Sequence, residues 1–246
     1  MRMSSSMKRI SGVFLAFIAS VALMFGMVSP ASAAPTVVVG PGTGWATSPG
    51  ALAVSSCSIT AVGTDSAGRL VAISAGHCHR DPGSTSYPGT PGTAVYKTAG
   101  GQRIGELTNN HSYTAVPAPP SPNVDYQVIL LDPNVVIPSA TSEDGTVTVH
   151  SFGTATPLAN GLCKDAISTG FTCGLVLGQS SNSYSSYAFS FGGDSGGATV
   201  RQGTDVLIGM VIGGPTTGPY IYNKIQPVLN AINSSGKVGA GFTLVP

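Results

Sequence analysis

Residues 191–200 read Phe-Gly-Gly-Asp-Ser-Gly-Gly-Ala-Thr-Val, a serine with glycines on both sides and a strand-like run close behind. Glycine has no Cβ, so such a chain turns tightly and brings its own amides near a carbonyl approaching the serine, where N–H groups stabilise a developing oxyanion. A turn in a chain with 33 glycines gives the same string without any chemistry. The stretch decides the fold only through its partners.

Those partners are sorted by their order along the chain. Gly193-x-Ser195-x-Gly197 fits the loose nucleophile-elbow pattern, in which the acid and the histidine follow the serine. The four histidines stand at 77, 79, 111 and 150, all before Ser195, so the elbow order is excluded. An acid–histidine–serine order is formally available through Asp65, but Asp65 sits in the turn signal 64–68, and the helices of that fold are missing. Histidine–acid–serine order remains. His77 closes an apolar run within Ala75-Gly76-His77-Cys78, while the adjacent His79 faces elsewhere in an extended backbone. Asp125 opens Asp-Tyr-Gln-Val-Ile-Leu-Leu. A carboxylate at such an apolar boundary is costly to bury unless it has a partner, and a histidine Nδ1 proton is one; the plainer reading is a surface acid at a strand start. Taken together, Ser195 is the nucleophile, His77 its base and Asp125 the group that fixes the imidazole tautomer, with the amides of Gly193 and Ser195 as the oxyanion site.

Composition agrees with a β-rich chain. There are 11 basic and 10 acidic residues in 246 and the net charge is +1, so no basic face is available for nucleic acid. Short apolar runs punctuated by Gly and Pro occur at 37–39, 51–62, 70–74, 93–97, 103–107 and 124–131, and again at 146–152, 173–177, 184–191, 198–201 and 205–212. Only 222–232 has helical spacing, with Ile225, Val228, Leu229 and Ile232 on one face and Pro227 tolerated in the first turn. No helices alternate with the strands, so a parallel sheet with helical crossovers is excluded.

The first 33 residues read as an export signal: Arg2, Lys8 and Arg9, an uncharged run from Ile10 to Val28, then Ala31-Ser32-Ala33. A retained anchor is the alternative, since that run nearly spans a bilayer. Four cysteines after an export signal suggest two disulfides, with three pairings open. His77, Cys78 and His79 invite a metal reading, but oxidised cysteines offer no thiolate. No metal and no cofactor are expected.

The Ala-Gly-His-Cys segment, the Asp125 strand start and Gly-Asp-Ser-Gly-Gly, in this order, resemble the chymotrypsin-like serine proteases, and among them the small secreted bacterial enzymes of the streptogrisin and α-lytic type. The resemblance spans roughly residues 50–232. It implies an all-β fold of two packed six-stranded antiparallel β-barrels with a short C-terminal helix. The signal would occupy 1–33, a lead-in 34–50, the first barrel with His77 and Asp125 51–132, and the second barrel with Ser195 and the helix 133–246. It implies disulfides Cys57–Cys78 and Cys163–Cys173, the latter within GLCKDAISTGFTCG. It also implies a secreted, monomeric endopeptidase acting on peptides or proteins, without a stable membrane anchor. Phe189 and Ser190 would contribute to the pocket for the residue before the cut bond. Ile212, Gly213 and Gly214 would line the substrate strand. With no carboxylate placed there, an apolar or small side chain is expected; plain core packing is the other reading of Phe189.

Three departures stand out. Ile212 occupies a position where the family has a serine that supports the buried acid. Asp194 lacks the arginine that holds it in the bacterial branch, since none lies between 104 and 200. A trimmed terminus at 37–40 is a substitute; without one the oxyanion loop would collapse until something binds. No large folding prosegment follows the signal. Ile212 and the unpartnered Asp194 motivate the alternative of a latent or weakly active pseudoprotease serving as a secreted binding or structural module. A carbohydrate-binding β-protein would explain the Ser/Thr/Gly-rich surface but not the ordered residues.

Overall fold

A computed structural model of the chain describes residues 36–53, 56–82, 84, 88–112 and 124–246. The expected export signal at 1–33 and the proline-rich stretch 117–122 lie outside the described residues.

The first half contributes β1 (Val37–Val39), β2 (Gly44–Ala46), β3 (Cys57–Ser58), β4 (Ala61–Thr64), β5 (Leu70–Ser74), β6 (Ala94–Lys97), β7 (Arg103–Ser112) and β8 (Tyr126–Leu131), with a 3-10 turn Gly76–Cys78 after β5. The second contributes β9 (Val136–Pro138), β10 (Ser151–Phe152), β11 (Gly161–Asp165), β12 (Thr172–Gln179), β13 (Ser183–Ser186), β14 (Ala198–Arg201), β15 (Val206–Gly213), β16 (Tyr220–Lys224), helix α1 (Ile225–Ser234) and β17 (Thr243–Leu244).

Two curled sheets result. In the second half β15, β14, β11, β12, β13 and β16 follow one another, and β16 pairs back onto β15, closing a six-stranded barrel. In the first half β4, β5, β8, β7, β6 and β2 form a strongly curled sheet that stops short of closure, with β3 and β17 at its ends. Local chemistry sets the turns. Asp65 Oδ1 accepts the N–H groups of Ala67 and Arg69, each at 3.0 Å, and so shapes the β4–β5 hairpin. The β5–β8 register places Ile73 opposite Val128 and Ser74 opposite Gln127, and all four are fully buried. One apolar core takes in these strands together with Ile225, Val228, Leu229 and Ile232 of α1.

Several boundaries differ from the sequence reading: the runs expected at 51–62, 146–152 and 184–191 are strand only at Cys57–Ser58 with Ala61–Thr64, at Ser151–Phe152 and at Ser183–Ser186. Residues 222–224 are strand and the helix begins at Ile225, because Tyr222 pairs with both Tyr184 and Val211 and completes the barrel. The chain end, assigned by sequence to the second barrel, returns as β17 to pair antiparallel with β4 of the first sheet.

Candidate functional site

The site lies where the ends of strands from both sheets meet. Leu70–Ser74 runs into the 3-10 turn, which presents His77; Asp125 immediately precedes β8; Ser195 sits in the loop before β14. The 3-10 turn fits because residue 76 is glycine: a Cβ there would lie 1.8 Å from Ser112 O and 2.7 Å from Asp125 Oδ1. His77 Nδ1 lies 2.5 Å from Asp125 Oδ2, and His77 Nε2 lies 2.6 Å from Ser195 Oγ. The three residues that the sequence orders are thus brought together.

Asp125 is buried, and its carboxylate has a second donor, since the backbone N–H of His77 reaches Oδ1 at 2.8 Å. The Asn223 side chain donates to the Asp125 carbonyl at 2.8 Å. The missing hydroxyl at Ile212 therefore leaves neither carboxylate oxygen unpaired. Ile212 contributes its carbonyl, 3.3 Å from Ser195 Oγ.

The loop around Ser195 is open and anchored. Gly193 has φ +100, and a Cβ there would meet Ala53 O at 2.1 Å, so only glycine fits. Among the described residues, neither the amide of Gly193 nor that of Ser195 has a hydrogen-bond acceptor. Asp194 is fully buried beneath them. It accepts from the backbone N–H groups of Ser168 and Thr169 at 3.0 Å each, from Phe191 N–H at 2.9 Å, and from Thr169 Oγ1 at 2.5 Å.

Its cation is Lys164, whose Nζ is 3.2 Å away and likewise fully buried. Lys164 also donates to Thr169 Oγ1 and to the Gly170 carbonyl. Burial draws the Lys164 pKa down from its ordinary value while the Asp194 charge opposes the shift. The sequence reading missed this residue because it sought an arginine. A lysine directly after Cys163, in a stretch whose cysteine tied to Cys173 places it in the interior, was the signal. The collapse anticipated without an arginine is not the arrangement seen.

Beside the serine, Phe189 is 49% and Phe191 56% exposed, and the Phe189 ring meets Tyr220 edge-on at 5.7 Å. Phe189 therefore stands at the surface rather than in the core. Ser190 is buried, 3.3 Å from the Tyr222 hydroxyl, which donates to the Ala188 carbonyl. Burial raises the Tyr222 pKa far above its ordinary value, so the hydroxyl keeps its proton. Gly213 and Gly214 are half-buried at the end of β15. Both disulfides implied by the resemblance are formed, Cys57–Cys78 and Cys163–Cys173. The Sγ atoms of Cys57 and Cys78 lie near His77, but a disulfide offers no thiolate for a metal. His79 is buried against Gln127 and does not face Ser195.

No family model matches the chain, and no curated protein matches its sequence. Solved structures do match its fold. Nocardiopsis protease NAPase superposes with a TM-score of 0.60 at 21% identity, over 80% of this chain and 97% of that one. Thermobifida fusca protease A gives 0.58 at 20%, over 85% and 99%. A structure described as a glutamic acid specific serine protease with a histidine triad in substrate binding gives 0.58 at 20%, over 85% and 100%. The two curled sheets with one short C-terminal helix match the chymotrypsin-like fold of these bacterial serine proteases.

Proposed function

We propose that the chain is an exported serine endopeptidase that cuts after an apolar or small residue through an acyl-enzyme. The observation that carries this reading is the succession of contacts from Asp125 through His77 to Ser195, at 2.5 and 2.6 Å, opening onto two amides without an acceptor. In this scheme Ser195 Oγ attacks the peptide carbonyl carbon while His77 Nε2 takes the hydroxyl proton. The oxyanion is held by the N–H groups of Gly193 and Ser195. The C–N bond then breaks, the amine leaves with the proton from His77, and water repeats the sequence to release the new carboxylate. Asp125 keeps the ring in the productive tautomer and stabilises the imidazolium.

The substrate backbone lies extended along Gly213 and Gly214 as an added strand. The side chain before the cut bond enters between 189–191 and 212–214. Phe189, backed by the buried Tyr220 ring, and Phe191 offer apolar surface there, and no carboxylate stands in those segments to attract lysine or arginine. A histidine-based preference for glutamate has no support: His79 is buried against Gln127, His111 lies in β7 of the first sheet, and His150 is exposed beside Asp205. The basic start, uncharged run and Ala31-Ser32-Ala33 support export, and no helix among the described residues is long and apolar enough to cross a membrane. Digestion of a mixed peptide library tests the proposal. Cuts are expected after apolar or small residues, and the Ser195→Ala protein should leave the library intact. A parent that cuts nothing, or cuts equally with and without Ser195, would overturn it.

A further inference from the structure

The segment that carries His77 is tied to the β8 strand twice. Two residues beyond His77 and Asp125 on their respective segments, His79 Nδ1 meets Gln127 Oε1. The Gln127 amide is oriented by its other end: Nε2 donates to the Thr108 carbonyl at 3.3 Å and to that of Val128, so Oε1 is the acceptor and His79 Nδ1 the donor. On its far side His79 clasps the following loop. Its Nε2 lies 2.8 Å from the Gly89 carbonyl oxygen, and the Gly89 N–H donates to the His79 carbonyl, also at 2.8 Å. His111, opposite Gln127 in the β7–β8 register, packs its ring against that of His79 with centroids 4.1 Å apart.

His79 and Gln127 are both fully buried, and neither contacts Ser195 or the segments 189–191 and 212–214. Burying two polar side chains costs free energy that an apolar pair of the same size would not. What the polar pair adds is a directional bond between fixed atoms, which sets register where apolar contact tolerates sliding. Between His77 and His79, Cys78 is held to Cys57. We propose that the His79–Gln127 bond is a brace that fixes the reach and tilt of His77 toward Asp125, making His79 and Gln127 positioning residues for the hydrolysis proposed above. With 78 tied to 57, loss of the 79–127 tie leaves the turn held against β8 only through the His77 contacts with Asp125, which loosen as the turn pivots about the disulfide.

The inference rests on the endopeptidase reading for its rates but not for its geometry, and the experiment reads both. The parent is compared with His79→Leu, Gln127→Leu, the nearly isosteric Gln127→Met, and His79→Asn, whose amide nitrogen replaces Nδ1. Each is followed by kcat and KM on a cleaved peptide and by the ¹⁵N shifts of the His77 ring. Small displacements of a catalytic group cost up to ~10²-fold in rate, so the variants without the bond are expected to lose about tenfold in kcat with KM nearly unchanged. Their His77 Nδ1 signal moves toward that of an unbonded ring, whereas His79→Asn keeps the parent's rate and signal. Where a leucine variant does not fold, Gln127→Met decides. Parent-like kcat and His77 shifts in a folded variant lacking the bond would overturn the brace, as would equal losses in His79→Asn. An inactive parent whose His77 signal still moves in Gln127→Met but not in His79→Asn refutes the endopeptidase reading and upholds the brace.

Discussion

Asp194 and Lys164 together hold the loop on which Ser195 stands. A carboxylate and an ammonium with no solvent exposure cost several kcal/mol each to bury, and three backbone N–H groups and a threonine hydroxyl share the task of repaying that cost. Removing Lys164 leaves a buried carboxylate with hydrogen bonds but no counter-charge. Lys164→Met is therefore expected to lower stability by about 3–5 kcal/mol in denaturant titration and to abolish peptide cleavage. Lys164→Arg, which keeps the charge, should recover much of both. Gly193→Ala tests the oxyanion site separately. Its Cβ would stand 2.1 Å from Ala53 O at φ +100. Displacing that amide should cost on the order of 10²-fold in kcat, with a smaller effect on stability. Of the two departures that motivate a latent protein, the one at Asp194 is thereby answered, and the loss of a hydroxyl at Ile212 is offset by the His77 N–H on Asp125.

Among the elements, strands with a continuous apolar run and clear turn signals were legible in the sequence. Leu70–Ser74 and Ala198–Arg201 fall on the predicted residues because Gly or polar clusters bound them on either side. Gly44–Ala46 and Gly161–Asp165 were missed. Each is short or carries charged residues, and each becomes a strand only through neighbours distant in sequence: Trp45 opposite Lys97, and Lys164 opposite Thr199. Tyr220–Lys224 was absorbed into the helix because its apolar residues continue the helical spacing, and only barrel closure makes it a strand. The candidate site was legible for the same reason that it is local. Each of its three parts lies in a short motif, and order along the chain selected among them. The brace at His79 and the cation at Lys164 were not legible, since each depends on which side chain a distant strand presents. Helix α1 belongs energetically to the main core. Ile232→Ala, at a fully buried position, is expected to cost about 2–5 kcal/mol in denaturant titration while leaving cleavage kinetics unchanged in the folded protein.

For the whole molecule, three of the shifted groups contribute most directly to how stability varies with acidity between about 2 and 6.5. Burial alone would raise the Asp65 pKa, but Arg69 and the N–H groups of Gly239, Arg69 and Ala67 outweigh it and bring it to about 2. Its contribution is present above the ordinary 3.8 and is lost as pH falls from there toward 2. Burial, aided by the electrostatic influence of the neighbouring His79 and Lys237, brings His111 to about 4; its contribution is full above 6.5 and declines as pH falls through 4. Asp165 moves the opposite way. Burial and the neighbouring Asp144 charge raise it to about 6, so its contribution is full below 3.8 and is lost as pH rises through 6. The slopes from His111 and Asp165 oppose each other between about 4 and 6, and the unfolding free energy there should be nearly flat. Asp165→Asn should unmask stability that rises with pH across this window, and His111→Phe stability that falls. Parallel curves for the parent and both variants would contradict the assignment.

The central claim is that Ser195 is an activated nucleophile facing a formed oxyanion site. Labelling of the folded, disulfide-intact protein with a fluorophosphonate tests it most directly, with the adduct mapped by mass spectrometry. One adduct on Ser195 is predicted, lost in Ser195→Ala and greatly slowed in His77→Ala. A folded parent that takes up no label, or takes it up at another residue, would contradict the account.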